Sequence, residues 1–249
     1  MQDLCPNARP QEKAAQNMLY NFSIMTKEAI SVWSGGKDSA LAYFLALRLG
    51  HKPNSLFYMN AQAKHLFAFN DLSRIRLINL QAKSMGIPLY RHDINISFKK
   101  PKNLDKKFSE GIKKANKLYP FKNVIIGCHE MPEQCSILKK RCSELGLVAI
   151  EPLFKMPLKT VLKTLLESKI KAIISGVEPK YITESWLGKP VDERFLRYVE
   201  NKKNLCGGTF QTLTIDAPFF NFPIKIEKSF RVKTKDQTFL SIQGKRPTR

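Results

Sequence analysis

Six consecutive residues, Ser34-Gly35-Gly36-Lys37-Asp38-Ser39, carry the densest chemistry in the chain. Two adjacent glycines let the backbone turn tightly and present its N–H groups, while Lys37 adds a positive charge and Ser34 and Ser39 add hydroxyls. A helix starting just after them would aim its positive end at the same point. These are the means of holding a phosphate chain. The spacing is not that of the G-x-x-x-x-G-K-S/T loop, because residue 31, five before Gly36, is a serine. The glycines of the dinucleotide fingerprint G-x-G-x-x-G are missing as well.

Residues 29–33 are a short β-prone run, and residues 40–49 are rich in helix formers and stop at Gly50. The six residues therefore join a strand to a helix. Further strands are predicted at 55–59, 87–90, 123–126 and 148–150, alternating with helices at 72–85, 104–118 and 137–145. Gly127 closes the fourth strand. This pattern predicts an α/β fold, a parallel twisted sheet with helices on both faces. After Pro152 the texture changes. Helices at 158–168 and 192–201, a short strand at 172–174 and alternating runs at 209–215 and 224–233 predict a smaller C-terminal α+β domain with antiparallel strands. The expected division is a flexible leader over 1–26, a nucleotide-binding domain over 27–150, a substrate-binding domain over 151–242 and a mobile basic tail over 243–249.

The chain holds 42 Lys and Arg against 21 Asp and Glu, a formal net charge of +21, which points to a polyanionic partner. Lys99, Lys100, Lys102, Lys106, Lys107, Lys113, Lys114 and Lys117 fall in one stretch, and residues 225–249 are basic again. Two readings stand: a solvated face, or a surface for RNA or the ribosome. No run of eighteen apolar residues suggests a membrane span. The first residues lack the compact apolar stretch of a secretory signal, and five scattered cysteines do not make a disulfide scaffold. A cytoplasmic protein with reduced thiols is expected. Cys128, Cys135 and Cys142 recur every seventh residue. On one helix such residues lie about 10.5 Å apart along the axis, too far to converge on a metal ion. Buried structural thiols are expected, and no metal site. Cys128 and Cys206, beside loops expected at the site, are the alternative reactive cysteines, and His51, His65 and His92 show no partner spacing.

The SGGKDS segment resembles the PP-loop of ATP pyrophosphatases, which split ATP into AMP and pyrophosphate while adenylating a substrate. Further segments, spread over about residues 28–225, resemble the diphthine–ammonia ligase branch of that superfamily. They are Gln81-Ala82, Gly86-Ile87-Pro88-Leu89, Gly127, Cys142 with Leu145-Gly146-Leu147, Pro152-Leu153-Phe154, Leu187-Gly188 and Asp216-Ala217-Pro218-Phe219. The branch's Gly-Glu-x-Gly-Glu segment is altered to Cys206-Gly207-Gly208-Thr209, so the chain reads as a divergent member.

The resemblance implies an adenine nucleotide α-hydrolase-like fold and an amide ligase using ATP and Mg2+. Ser34, Gly35, Gly36, Lys37, Asp38, Ser39 and Gly127 would bind the nucleotide, with Lys37, Asp38 and Ser39 catalytic. Asp38 would either partner the magnesium or stabilise the helix N-terminus. Gly207, Gly208, Thr209, Phe210, Gln211 and Thr212 would hold the acceptor, a carboxylate of diphthine on a translation elongation factor. Attack of that carboxylate on the α-phosphorus would release pyrophosphate, and ammonia would then displace AMP. Two other readings remain beside it: a PP-loop tRNA-modifying enzyme, and an ATP-binding module with a decayed acceptor site.

Overall fold

Five strands, the central ones with adjacent apolar residues buried on opposite faces, build the first layer. The computed structural model describes residues 27–62, 72–95, 103–129, 132–202 and 205–247. Strands β1 (Glu28–Val32), β2 (Lys52–Gln62), β3 (Leu89–Asn95), β4 (Asn123–Ile125) and β5 (Val148–Ile150) run parallel in the order β3-β2-β1-β4-β5. Between them come α1 (Lys37–Arg48), α2 (Leu72–Met85), α3 (Leu104–Leu118) and α4 (Pro132–Glu144). Because side chains alternate along a strand, Ala29, Leu56 and Ile125 pack with Leu41 of α1 and Ile78 of α2. Their neighbours Ile30, Phe57 and Val124 pack on the other face with Phe108 and Ile112 of α3 and Cys142 of α4. Double-sided burial explains why these strands read as continuous apolar runs.

The second half contains α5 (Leu158–Glu167), β6 (Lys171–Val177), α6 (Glu193–Glu200), β7 (Phe210–Asp216), β8 (Lys225–Lys233) and β9 (Thr238–Lys245). Single 3-10 turns sit at Glu184–Trp186 and Gly207–Thr209. The four strands form an antiparallel sheet in the order β7-β6-β9-β8. The fold is thus the expected α/β parallel sheet with a smaller antiparallel sheet. Helix α6 starts at Asp192, whose carboxylate accepts the N–H groups of Arg194 and Phe195, each at 3.1 Å.

Helix α2 lies between the sheets. Its Ile78 and Ala82 join the core under β1, while Leu77 packs with Ile173, Leu213 and Ile242 of the second sheet. Val161, Leu162 and Leu165 of α5 are fully buried in the core that also holds α1. The two halves therefore share one continuous core, each such side chain contributing roughly 1.5–3 kcal/mol by burial.

Three local expectations are corrected. Helix α1 starts at Lys37, three residues before the expected 40, so Lys37, Asp38 and Ser39 form its first turn. Residues 243–245, expected in a mobile tail, are the last rungs of β9, where Lys245 pairs with Lys225 and Gln243 with Lys228. Cys128 precedes α4 instead of lying on it, so the helical spacing fails there. It approaches Cys135 to a Cα–Cα distance of 6.0 Å and forms a disulfide with it, where reduced thiols were expected. Cys142 remains a buried thiol, pushed up to about 12 by that burial, and Cys206 is an exposed one. The leader over 1–26, His65, Lys99, Lys100 and Lys102 lie outside the described residues. Among the described residues, no helix is long and apolar enough to cross a membrane.

Candidate active site

The strand order creates a crevice. From β1 the chain crosses through α1 to β2 on one side, and β4 lies on the other side of β1 and leads on to β5. The segments leaving β1 and β4 thus diverge, which is where open α/β sheets bind ligands. Ser34 to Ser39 leave β1 at this point, and Gly127, Cys128 and His129 leave β4.

Gly35 has φ +78°, and a Cβ there would stand 2.5 Å from Ile78 Cδ1 and 2.7 Å from Gln81 Oε1. Only glycine fits. The loop folds on itself: Ser34 Oγ and Ser39 Oγ are 3.2 Å apart, and Ser39 Oγ donates to the Gly36 carbonyl at 3.1 Å. Gly36 caps α1 without a side-chain bond, and with the Lys37 N–H taken up by Thr212, the N–H groups of Asp38 and Ser39 are the first-turn donors left without an intrahelical partner. Gly127 faces them. A Cβ on Gly127 would lie 2.6 Å from the Asp38 carbonyl oxygen and 2.9 Å from the Ser39 nitrogen. The absence of a side chain there lets the segment leaving β4 pack directly against the first turn of α1.

The side chains of Lys37, Asp38 and His129 meet beside this point. Lys37 is 1% exposed, its Nζ donates to Asp38 Oδ2 at 3.0 Å, and the ammonium lies 4.4 Å from the centre of the Phe210 ring. His129 places Nε2 3.4 Å from Asp38 Oδ1 and Nδ1 3.2 Å from the Met156 carbonyl, to which Nδ1–H donates. Burial pushes the Asp38 carboxyl up, but the Lys37 charge and then the His129 contact outweigh it and hold it below the ordinary carboxylate range. Asp38 Oδ1 is buried and accepts no hydrogen bond of good geometry among the described residues, its polar neighbour being His129 Nε2 at 3.4 Å.

The second sheet closes on the loop through β7. The Lys37 backbone N–H donates to Thr212 Oγ1 at 2.9 Å, and the Thr214 N–H donates to the Gly35 carbonyl at 2.8 Å. Gln81, fully buried, ties both together. Its Nε2 donates to the Gly35 carbonyl at 3.1 Å and to the Thr214 carbonyl at 2.7 Å, while its Oε1 accepts the Trp33 indole N–H at 2.9 Å. Phe219 packs edge-on against Trp33 and lies 4.7 Å from the Tyr43 ring. Burial pushes the Tyr43 phenol up to about 12.

Of the residues expected to hold an acceptor, Phe210 and Thr212 reach the glycine loop, but as rungs of a strand and not as a loop. Gly207, Gly208 and Thr209 form the preceding 3-10 turn, and the Thr209 hydroxyl is turned back to the Cys206 carbonyl at 2.7 Å. Gln211 Oε1 accepts from Arg74 Nη1 at 3.2 Å. Ser34, Arg74, Gln211 and Thr212 with Leu77 and Ile78 line a cavity of about 30 Å3, room for a water. His129 and Arg74 were not singled out from the sequence. The signal for His129 was its place two residues after Gly127 on a segment leaving the switch point.

The family model of the diphthamide synthase N-terminal domain matches residues 27–149, and that of its C-terminal domain matches residues 157–246. The chain is 24% identical over 227 residues to the diphthine–ammonia ligase of Bos taurus, covering 79% of this chain and 81% of that protein. It is 24% identical over 242 residues to that of Danio rerio, covering 86% and 91%. A solved structure described as a predicted subunit of tRNA methyltransferase from Methanocaldococcus jannaschii aligns with a TM-score of 0.36 and 18% identity, over 59% of this chain and 77% of that one.

Proposed function

The chain belongs to the diphthamide synthase family, and we propose that it is an ATP-dependent amide ligase that joins ammonia to the carboxylate of diphthine on a translation elongation factor. The observation that carries this reading is the N-terminus of α1, uncapped by Gly36, lying between the glycine loop and Gly127. An anion is favoured there by the N–H groups of Asp38 and Ser39 and by the helix dipole. ATP would activate the otherwise unreactive carboxylate: its attack on the α-phosphorus would release pyrophosphate, and AMP would then be the leaving group that ammonia displaces. Ser34, Gly35, Gly36, Lys37, Asp38 and Ser39 would hold the ATP phosphates, and the Asp38 carboxylate, whose buried Oδ1 lacks a hydrogen bond of good geometry, would suit a magnesium ion travelling with the nucleotide.

Lys37 stabilises negative charge developing beside it, where burial under Phe210 strengthens its field. Arg74, between Ser34 and Gln211, is placed to receive the acceptor carboxylate. His129, held through Nδ1 by the Met156 carbonyl, keeps Nε2 directed at Asp38 and fixes the carboxylate's orientation. The test is a product assay with purified chain, ATP, ammonium and diphthine-bearing elongation factor. AMP and pyrophosphate formed only with all components support the reading; ADP as the product contradicts it.

A further inference from the structure

The antiparallel sheet has two unlike edges. The outer edge of β7 is bonded to the glycine loop through Thr212 and Thr214. The outer edge of β8, three strand spacings or roughly 14 Å away, carries no strand among the described residues. Residues 225–246 contain Lys225, Lys228, Arg231, Lys233, Lys235, Lys245 and Arg246 against Glu227 and Asp236 alone. Lys233 is paired with Glu184 at 3.0 Å and Lys245 with Glu227 at 2.6 Å, while Lys225, Lys228 and Lys235 form no ion pair among the described residues. Lys225 stands directly opposite Lys245 in the ladder, and since Lys245 is taken up by Glu227, Lys225 is the cation of that rung left for an external anion.

Lysines on an edge strand also serve to repel a second strand. That role does not account for Phe230. Its ring is 57% exposed in the middle of β8, where an apolar side chain works against such protection. Phe230 and Lys228 are two residues apart and share the face that carries Ser241 and Gln243 of β9. At one end of the strip, the Arg246 guanidinium lies 4.7 Å from the centre of the Phe222 ring. An exposed aromatic among unpaired cations is the composition that binds single-stranded nucleic acid, with bases stacking on the ring and phosphates meeting the lysines.

We propose that the β8–β9 hairpin is a binding surface for single-stranded RNA, with Phe230 as the stacking platform and Lys225 and Lys228 as phosphate contacts. An acidic polypeptide would satisfy the charges but would leave the exposed ring without a partner. The Lys-rich face of α3 has the charge but no exposed aromatic, since its exposed large apolar residues are Leu104 and Leu118.

The test is fluorescence anisotropy of a labelled oligouridylate with the full chain, at several salt concentrations and without ATP, so that ligase activity does not enter. Phe230→Ala is expected to weaken binding about tenfold. Lys225→Ala with Lys228→Ala is expected to weaken it and to lower the salt slope by roughly 0.7 per lysine removed. Lys113→Ala with Lys117→Ala on α3 should leave affinity within about twofold, and thermal melting confirms that each variant is folded. The same oligomer as DNA distinguishes a preference for RNA from general single-strand binding. Binding unaffected by Phe230→Ala, or polyglutamate competing as well as RNA, overturns the proposal in favour of a charge-only or protein-binding surface. Undetectable binding by the unaltered chain overturns it outright.

Discussion

The backbone N–H of Lys37 donates to the side-chain oxygen of Thr212, 175 residues away, at 2.9 Å. One bond thus joins the first turn of α1 to the outer edge of the second sheet. The glycine loop is completed by a strand that follows it by most of the chain.

Thr212→Val keeps the shape of the side chain and removes the acceptor, leaving the Lys37 amide buried without a partner. The expected loss is about 1–3 kcal/mol, seen as a fall in thermal midpoint of roughly 2–4 °C for each kcal/mol. Thr212→Ser should restore most of it. Equal melting of the valine variant and the unaltered protein would show that the bond contributes nothing.

Gly127→Ala forces a methyl group against the Asp38 carbonyl oxygen, 2.6 Å from where the Cβ would lie. Backbone cannot yield as a flexible side chain can, so a destabilisation of roughly 1–3 kcal/mol is expected. Nucleotide affinity, read by isothermal titration of ATP with magnesium, should fall by more than stability alone explains. Retained affinity would remove Gly127 from the site.

Asp38 gives a pH signature. Its folded carboxyl titrates below the ordinary range because Lys37 and His129 outweigh the opposing effect of burial. The carboxylate therefore stabilises the fold fully above the unfolded value of about 3.9, and this contribution is lost as pH falls from there through the lower folded value. Denaturant melts should show Asp38→Asn less stable than the unaltered chain at pH 7, with the gap closing below about pH 4. A gap that widens on acidification would contradict the assignment.

The cysteines are distinguishable by alkylation. Under native, non-reducing conditions iodoacetamide should label Cys206, which is exposed, and spare Cys142, which is buried. Peptide mapping should recover Cys128 and Cys135 in one linked species. Free Cys128 in the absence of reductant would show the bond is not formed.

Much of this was legible in the sequence because it is local. The strand–glycine–helix order around Gly35 and Gly36 follows from residue types within a few positions, and so do the bounds of α2 and α3, which end at Gly86 and near Pro120. Pairing across the chain was not legible. Thr209 and Thr212 looked equivalent as hydroxyl donors, yet the first bonds its own turn and the second bonds Lys37. Gln81 was visible only as part of a resemblance, since its three bonds go to residues 46, 48 and 133 positions away. The spacing argument for Cys128 failed because it assumed a helix, and α4 begins at Pro132. The final rungs of β9 were hidden by their glutamine, glycine and lysine composition, which reads as a solvated tail.

The most direct test of the central claim is mass spectrometry of the modified histidine of the host's elongation factor, with the gene intact, deleted and restored. Diphthine should accumulate in the deletion, and diphthamide should return with the unaltered gene but not with Lys37→Ala. Fully formed diphthamide in the deletion strain would contradict the account.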